Sequence, residues 1–277
     1  MRDAESRVIR IEAEDADSIP RVRDVWTYRE LLYFLIWREI KVRYKQTALG
    51  IAWVVLQPLT AMAIFAVIFG RFARIPSEGV PYWLFAFAAV VPWTYFSQAL
   101  SRSATSVVGD ANLIQKIYFP RVIIPIASIV VPLVDFLPSF LLLIGFMLAF
   151  GFVPGGKVIL VPLFLLLALA VALAIGLWLS ALCVRYRDVS VTIPFLTQVL
   201  LYASPVAYPL SMVPLRWRWI YELNPLANVI QGFRWALLGA DPPRAAALAI
   251  NLACVGLVLY GGLVYFKRME TTFADVI

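Results

Sequence analysis

The segment from about Ala48 to Phe69 is almost wholly apolar, and a cluster of cationic side chains precedes it without a linker. Roughly 20 apolar residues in a helix are enough to cross the hydrocarbon core of a bilayer. Because lysine and arginine collect on the cytoplasmic side of short membrane loops, we expect this segment to leave the cytoplasm and to cross outward. The cations that indicate this orientation are Arg38, Lys41, Arg43 and Lys45.

The composition excludes a soluble globular protein. Of the 277 residues, 62% are hydrophobic and only 15% are charged, which is more apolar than a soluble core requires. The net charge of +7 does not indicate a nucleic-acid partner, because 17 of the 24 lysines and arginines fall in segments that we place in the cytoplasm. That bias is typical of membrane topology. The sequence therefore predicts an all-α polytopic membrane protein.

Six transmembrane helices account for the long apolar segments of residues 48–277. The third is overlong and carries Pro125, Pro132 and Pro138, which should bend or break it because proline removes a backbone donor. An even number of spans and the charge bias place both termini in the cytoplasm. Residues 1–24 are predicted to form a flexible cytoplasmic tail. The predicted spans are at about 48–69, 81–101, 122–150, 158–184, 191–210 and 245–266.

Residues 25–47 mix large apolar side chains with charges, and their apolar run is too short to span a membrane. We interpret them as an amphipathic helix that lies in the inner interface of the membrane. The alternative is an ordinary soluble helix that packs on the tail.

Residues 211–240 are too long and too rich in tryptophan for a bare loop between the fifth and sixth spans. Pro225 divides them into two apolar pieces, each shorter than a span. Because tryptophan and tyrosine favour membrane interfaces, we predict a pair of half-inserted helices at the outer surface. The alternative is a seventh and an eighth span, each of which would have to cross with about a dozen residues.

The cytoplasmic loop after the second span contains a predicted short helix from Asp110 to Pro120. Asp110 and Asn112 are candidates for its N-cap, and Pro120 ends it. Ile114 and Ile117 stand three residues apart, so we expect them to share one face. A short helix with exposed apolar side chains indicates a binding partner. An inert connector is the alternative.

The sequence carries little that could support catalysis. Residues 151–158 (GFVPGGKV) nearly spell a phosphate-binding loop, but Val158 replaces the Ser or Thr that would bind magnesium. The stretch also follows a predicted span and faces outward, away from ATP. The sequence has no histidine, and no carboxylate pair lies within the predicted spans. We therefore predict neither an enzyme nor a metal site.

Asp135 is the one charged residue inside a predicted span. An ionised carboxylate at that depth costs at least about 2.5 kcal/mol, so it should face a partner or a water-filled cavity. Backbone groups freed by the prolines, together with Ser139, would satisfy it locally. A role in transport is the alternative.

Several aromatic residues lie well inside the predicted spans, too far from either end to serve only as interface anchors. Aromatic faces offer apolar platforms with a polar tip, which suit the alternating faces of sugar rings. We therefore predict that they line a carbohydrate conduit, with helix packing as the alternative for each residue. The set is Trp53, Trp93, Tyr95, Phe96 and Tyr202.

Motifs along the chain resemble, in order, those of the membrane subunits of type-2 ABC exporters, in particular the O-antigen and teichoic acid permeases of the Wzm and TagG kind. The resemblance covers the chain from about Val25 to Phe266. It implies a homodimer that binds two separate ATPase subunits, with ATP and magnesium on those subunits and no cofactor in this chain. The motifs are WREIKVRYKQT (37–47) followed by Leu49-Gly50 and by Trp53 through Pro58, then KIYFPR (116–121), RYRD (185–188) and LNP (223–225).

The same resemblance implies roles for the predicted short helices. The interfacial helix and the first cytoplasmic loop would sit on the ATPase, and the helices after the fifth span would form a gate. The loop residues are Asp110, Asn112, Ile114, Lys116, Ile117 and Tyr118, and the gate residues are Trp217, Trp219, Tyr221, Asn224, Pro225 and Trp235.

The predicted function is that of a permease that moves a lipid-linked polysaccharide such as O-antigen across the bacterial inner membrane. Teichoic acid or capsule is the alternative cargo. A secondary transporter would need an internal repeat and more intramembrane charge, and a membrane-embedded transferase would need clustered histidines or carboxylates. The sequence shows neither pattern, so both classes are less favoured.

Overall fold

The described part of the protein is a bundle of α-helices. A computed structural model describes residues 26–45, 50–117 and 119–276, and within those ranges every regular element is a helix. The predicted cytoplasmic tail and Tyr118 lie outside the described residues. The helices are α1 (Arg29–Lys45), α2 (Gly50–Phe65, continued by a π-helix over Ala66–Phe72), α3 (Tyr82–Gly109), α4 (Ala111–Ile114), α5 (Ile123–Val130), α6 (Pro132–Ala149), α7 (Val161–Arg185), α8 (Val189–Ala203), α9 (Leu215–Glu222), α10 (Pro225–Leu238) and α11 (Ala245–Val276).

Five helical segments are long and apolar enough to cross a membrane. They coincide with the predicted first, second, third, fourth and sixth spans, so the chain is a multi-pass membrane protein. The segments are Ala52–Phe72, Tyr82–Gly109, Ile123–Ala149, Gly156–Arg185 and Ala245–Glu270.

Helix α8 differs from the span predicted at 191–210. It has 15 residues, Val189–Ala203, which is about 22 Å at 1.5 Å per residue and less than the roughly 30 Å of hydrocarbon. The backbone becomes extended at Ser204, and Pro205 and Pro209 follow it. Because proline lacks the N–H that a continuing helix needs, the chain leaves the helix well before residue 210.

The predicted third span is broken once, at a proline. Helix α5 ends at Val130 and α6 begins at Pro132, whereas Pro125 and Pro138 lie inside helices. Proline suits the first turn of a helix because its missing N–H would have no helical partner there. The interruption is local, because Val131 between the two helices keeps helical dihedral angles (φ −53°, ψ −45°), and Asp135 lies about one turn after it.

Helix α3 lies at the centre of the bundle and packs against α5, α6, α7 and α10. Small side chains let its neighbours approach closely. Gly176 of α7 faces Ser103 of α3, and a Cβ on that glycine would lie 2.4 Å from the Ser103 Oγ. Without a hydrophobic force between helices in lipid, close backbone approach of this kind is a main source of association. Phe85, Phe87 and Phe96 of α3 are each 1% exposed or less.

A second apolar cluster lies at the predicted cytoplasmic end of the bundle. Leu35 of α1, Ile114 of α4 and Phe119 pack there with Phe266 and Phe273 of α11. Helix α1 is therefore attached to the spans along one side, while Tyr33, Phe34 and Trp37 on its remaining surface are exposed. This arrangement differs from a helix that contacts only the lipid interface or only the tail.

Candidate functional site

The loop predicted to contact an ATPase contains only one short turn of helix. Helix α4 ends at Ile114, and Asp110 makes no capping hydrogen bond, because its carboxylate pairs with Arg38 of α1 at 2.5 Å. Ile114 is 5% exposed, whereas Ile117 is 54% exposed. The prediction that Ile114 and Ile117 share a face is therefore wrong. The helix stops before Ile117, so helical spacing no longer relates the two side chains.

The exposed part of this loop is small. Asn112, Gln115, Lys116 and Ile117 face outward from the chain, and Ile114 faces the cytoplasmic cluster. Tyr118, the sixth predicted coupling residue, lies outside the described residues. Among the described residues of the loop, the exposed side chains from Asn112 to Ile117 are two amides, one cation and one apolar side chain.

The C-terminal part of α11 contacts Arg121, directly after the same loop. The backbone N–H of Arg121 donates to Glu270 Oε1 at 2.8 Å, and the Arg121 guanidinium donates to the Glu270 carbonyl oxygen. The guanidinium also lies 5.9 Å from the centre of the Phe273 ring. Sequence reasoning missed this contact, although Phe266, Glu270 and Phe273 recur at the spacing that places residues on one helical face.

Within the described residues, three ion pairs connect α1 to other parts of the bundle. Besides the pair with Asp110, Glu39 accepts from Arg102 of α3 at 2.9 Å. Arg43 lies 2.5 Å from Asp135 of α6. Burial raises the pKa of Glu39. Asp135 thus finds its partner on α1 and not in its own helix, where Ser139 donates to the Asp135 backbone carbonyl. The prediction that backbone groups and Ser139 satisfy the Asp135 carboxylate within its own helix is therefore wrong.

Tyr44 adds a hydrogen bond to the same carboxylate. Its hydroxyl donates to Asp135 Oδ1, and burial followed by this hydrogen bond raises the pKa of Tyr44 to about 12. The sequence patterns of α1 do not reveal these contacts. Arg43 looks like one of several surface cations until the fold places it beside Asp135.

The aromatic residues predicted to line a conduit fall into two groups. Trp53 of α2 and Tyr202 of α8 are 58% and 63% exposed. Trp93, Tyr95 and Phe96 of α3 are 9%, 2% and 0% exposed and form part of the core.

The core contacts of the α3 aromatic residues are specific. The Tyr95 hydroxyl donates to the Ile129 carbonyl at 3.2 Å, and the Tyr95 ring meets Phe136 edge-on at 6.0 Å. Trp93 and Phe96 pack on each other with ring centres 5.6 Å apart. Because α3 is enclosed by other helices, an open path along Tyr95 and Phe96 does not agree with this packing. Helix packing, the alternative considered for these side chains, fits them better.

Two short helices, α9 and α10, occupy the region predicted to form a gate. Helix α9 is largely exposed, with Trp217 at 50% and Trp219 at 59%. Helix α10 is largely buried. Asn224 caps α10 by accepting from the Leu226 N–H at 3.0 Å, and Pro225 follows as its first residue.

The remaining gate residues also lie in different environments. Tyr221 packs edge-on against Tyr208 at 6.3 Å. Trp235 packs against Phe164 at 6.3 Å and lies under the Lys157 ammonium at 5.3 Å. The six residues therefore do not form one continuous surface.

Arg234 of α10 is fully buried and was missed by sequence reasoning. Its guanidinium donates to the carbonyls of Pro205 and Val206, each at 2.8 Å, and lies 3.5 Å from the centre of the Phe85 ring. Those carbonyls belong to the non-helical segment after α8, where no helical partner is available. A single arginine thus satisfies backbone groups that would otherwise be orphaned in an apolar setting. A lone cation within an apolar helix was the signal that could have found it.

Comparison with known proteins identifies the family. A family model described as ABC-2 type transporter matches residues 30–238. The chain belongs to the ABC-2 type transporter family. This membership confirms that it is a transporter component and not an enzyme, and it implies an ATPase partner. Helix α11, whose Glu270 contacts Arg121, lies wholly beyond the matched region.

Individual relatives of this ABC-2 transporter subunit align over most of its length. The chain is 28% identical over 258 residues to the O-antigen export system permease protein RfbA of Myxococcus xanthus, covering 92% of this chain and 98% of that protein. It is 24% identical to a protein of the same name from Klebsiella pneumoniae, covering 90% and 95% of the two chains. It is also 26% identical to the polysialic acid transport protein KpsM of Escherichia coli, covering 85% and 92%.

Proposed function

We propose that this ABC-2 transporter subunit is the permease of an exporter that moves a lipid-linked polysaccharide of the O-antigen type across the bacterial inner membrane. The observation that carries the proposal is the alignment with an O-antigen export permease over 92% of this chain and 98% of that relative. ATP hydrolysis on a separate ATPase subunit drives the movement. ATP and magnesium bind to that subunit.

A capsular polysaccharide is the second candidate cargo. The relative named as a polysialic acid transport protein aligns over 85% of this chain and supports this alternative. The exposed aromatic residues Trp53 and Tyr202 suit either polymer, because a sugar ring can stack on them whatever its linkage.

The proposed assembly is a homodimer with two ATPase subunits, and each copy spans the membrane six times. Five of these spans are the long helical segments, and the remaining one is the predicted fifth span, in which α8 would cross together with the segment that follows it. Both termini are cytoplasmic, and α9 and α10 are re-entrant gate helices at the outer surface. The 17 cations on the predicted inner side, out of 24 in all, support this orientation.

The proposed contact with the ATPase is the exposed surface of the 110–117 loop and the free side of α1. Asn112, Lys116 and Ile117 are available for it. The three ion pairs of α1 support a role for that helix in carrying the ATPase movement into the spans.

Complementation tests the proposed cargo. The full chain is expressed with its ATPase in one strain that lacks its O-antigen permease and in a second strain that lacks its capsule permease. The expected result is long O-antigen at the surface of the first strain and no recovery of capsule in the second. Expression of the ATPase alone is the control. Recovery of capsule only would favour the second candidate, and recovery in neither strain, with both subunits in the membrane, would contradict export of these polymers.

Cysteine labelling tests the proposed orientation. Cysteine at Arg218 of α9 should react with an impermeant maleimide in whole cells, and cysteine at Gln115 should react only after lysis. Cys183 and Cys254 are first replaced by serine to remove background labelling. Protection at position 218 together with labelling at position 115 would reverse the topology.

A further inference from the structure

The junction between α1 and α2 is attached to α6 inside the membrane region. Arg43 and Tyr44 occupy the last turn of α1, and both contact the Asp135 carboxylate. Helix α2 begins at Gly50, a few residues later. We call the last turn of α1, which carries Arg43 and Tyr44, and the first turns of α2, from Gly50 to Val54, together the elbow.

The attachment point is deep along the path of the third span. Asp135 lies 12 residues after Ile123, where α5 begins, which corresponds to about 18 Å along a helix at 1.5 Å per residue. Asp135 is 5% exposed. A carboxylate at such a depth is stable only with a partner. Separation of the elbow from α6 would leave the Asp135 carboxylate unpaired, and this cost keeps the two together.

A second contact lies beside the first. The Ser139 hydroxyl, one turn after Asp135, is 3.4 Å from the Val54 carbonyl of α2. Val54 is buried, while Trp53 and Leu56 next to it are about half exposed. The base of α2 therefore rests on α6, and further along α2 one side packs on the core while the other side is exposed.

The same face of α1 leads back to the predicted ATPase surface. Glu39 lies one helical turn before Arg43 and pairs with Arg102 of α3 at 2.9 Å. Arg38 pairs with Asp110 at the start of the 110–117 loop. Glu39 and Arg43 share a face because they are four residues apart, and Arg38 is adjacent to Glu39, so the C-terminal half of α1 carries ion pairs to the loop, to α3 and to α6.

We propose that Asp135 is a positioning residue that fastens the elbow to α6, so that α1, the base of α2 and α6 move as one body when the ATPase acts on the cytoplasmic loop. Arg43 is its ionic partner and Tyr44 its hydrogen-bond partner. The inference rests on the proposed coupling to a separate ATPase, but it does not depend on which polymer is carried.

A cysteine pair tests whether the elbow and α6 stay together. Cysteines at Val54 and Ser139 are introduced in full-length protein lacking Cys183 and Cys254 and assembled with its ATPase. The pair should form a disulfide equally well without nucleotide and with the complex trapped by ATP and vanadate. Transport should survive oxidation, with the two single-cysteine variants as controls. If oxidation stops transport while both single variants still transport, the elbow and α6 separate during the cycle and the proposal is wrong.

Neutralising the carboxylate tests its part in the attachment. D135N is compared with D241N, which makes the same chemical change at an exposed position after α10, away from the proposed ATPase contact. D135N should slow disulfide formation between positions 54 and 139 and should lower the amount of polymer exported per ATP by about fivefold or more, the lower end of typical coupling between sites. The ATPase kcat and KM should stay unchanged. A purely structural role would instead lower the amount of assembled complex without changing export per ATP.

Exchange of the two charges provides the rescue. R43D combined with D135R should recover at least half of the lost coupling, whereas R43D alone should not. Should D135N fail to reach the membrane, the cysteine pair in the wild-type background decides alone. Disulfide formation that is independent of nucleotide, together with no polysaccharide at the cell surface, would support the elbow and contradict only the proposed cargo. D135N with unchanged export per ATP and unchanged disulfide formation would contradict the elbow.

Discussion

Helices α2 and α3 are both apolar enough to span a membrane, yet α3 is mostly buried inside the chain and α2 is mostly exposed. In the most apolar window of α3, 78% of residues are buried inside the chain, against 6% in that of α2. Hydrophobicity does not explain the difference, since α2 has the higher mean hydropathy, 2.1 against 1.2. Helix α3 offers small side chains and inward-facing hydroxyls to its neighbours, which is what helices in lipid need in order to associate.

The comparison shows which surfaces are complete within one chain. Helix α3 has its partners in α5, α6, α7 and α10. Helix α2 packs on α3 and α6 along one side only, and its remaining surface is exposed. Helix α8 likewise packs on α3 and α7 along one side, with Ile193 as its one buried residue. Lipid or a second copy of the chain must cover these surfaces. In the proposed homodimer, α2 and α8 are where the two copies meet around the path of the polymer.

The largest expected difference in stability is between two aromatic substitutions, F96A in α3 and W53A in α2. F96A removes a fully buried ring and should destabilise the protein by about 3–5 kcal/mol, because the cavity is enclosed by other helices. W53A should change stability by no more than about 0.5 kcal/mol, as is usual for exposed positions. The measurement is the melting temperature of each purified variant. An equal loss of melting temperature in F96A and W53A would contradict the difference in burial between α3 and α2.

The next largest loss of stability is expected at Arg234, which is also fully buried. R234L leaves the carbonyls of Pro205 and Val206 without a donor and should cost about 3 kcal/mol, at roughly 1–3 kcal/mol for each unsatisfied buried group. R216L, at an exposed position on α9, is the matched control. Membrane levels and melting temperatures check both variants. A stable R234L protein would mean that the segment after α8 finds other donors.

A pair of glycines tests close packing at a finer scale. G176A places a Cβ 2.4 Å from the Ser103 Oγ and should cost about 1–3 kcal/mol through overpacking against α3. G256A lies in α11 with open space around it and should stabilise the protein slightly, by about 0.5–1 kcal/mol, because alanine favours a helix. Thermal melting of both variants gives the sign directly, and destabilisation by G256A alone would contradict the packing described for α3 and α7.

I117D is expected to have the smallest effect on stability but a large effect on coupling to the ATPase. I117D changes an exposed side chain and should alter stability by about 0.5 kcal/mol or less. It should nevertheless reduce stimulation of the ATPase by polymer and reduce export. I114D, at a buried position of the same loop, should instead lower the level of protein in the membrane. Normal export by I117D would make the loop an inert connector.

The sequence predicted the spans well because apolar length alone determines which segments can cross a membrane. It also predicted that the prolines would bend or break the third span, but it could not tell that the interruption falls at Pro132 while Pro125 and Pro138 lie inside helices. It overestimated α8, where Pro205 and Pro209 end the helix earlier than hydropathy indicated. Hydropathy measures affinity for lipid and contains no information on whether a helix ends inside the protein.

The side-chain environments were harder to predict. Trp53 and Phe96 are both aromatic residues inside apolar segments, and only the packing of α3 separates them. The partner of Asp135 depends on a contact between α1 and α6, with Tyr44 and Asp135 separated by 91 positions. Local periodicity carries no information on such a pair. The lone Arg234 was visible in the sequence, but its backbone partners exist only because α8 ends where it does.

Intermolecular cross-linking along α2 tests most directly whether a second copy completes this surface. Single cysteines are placed in protein lacking Cys183 and Cys254, and native membranes are oxidised mildly. We expect disulfide-linked dimers from at least one α2 position and none from L257C, a site on α11 that is more exposed than any of them. Monomers at every α2 position, or dimers only from L257C, would contradict the claim that α2 lies between two copies. The α2 positions are Leu56, Ile64 and Val67.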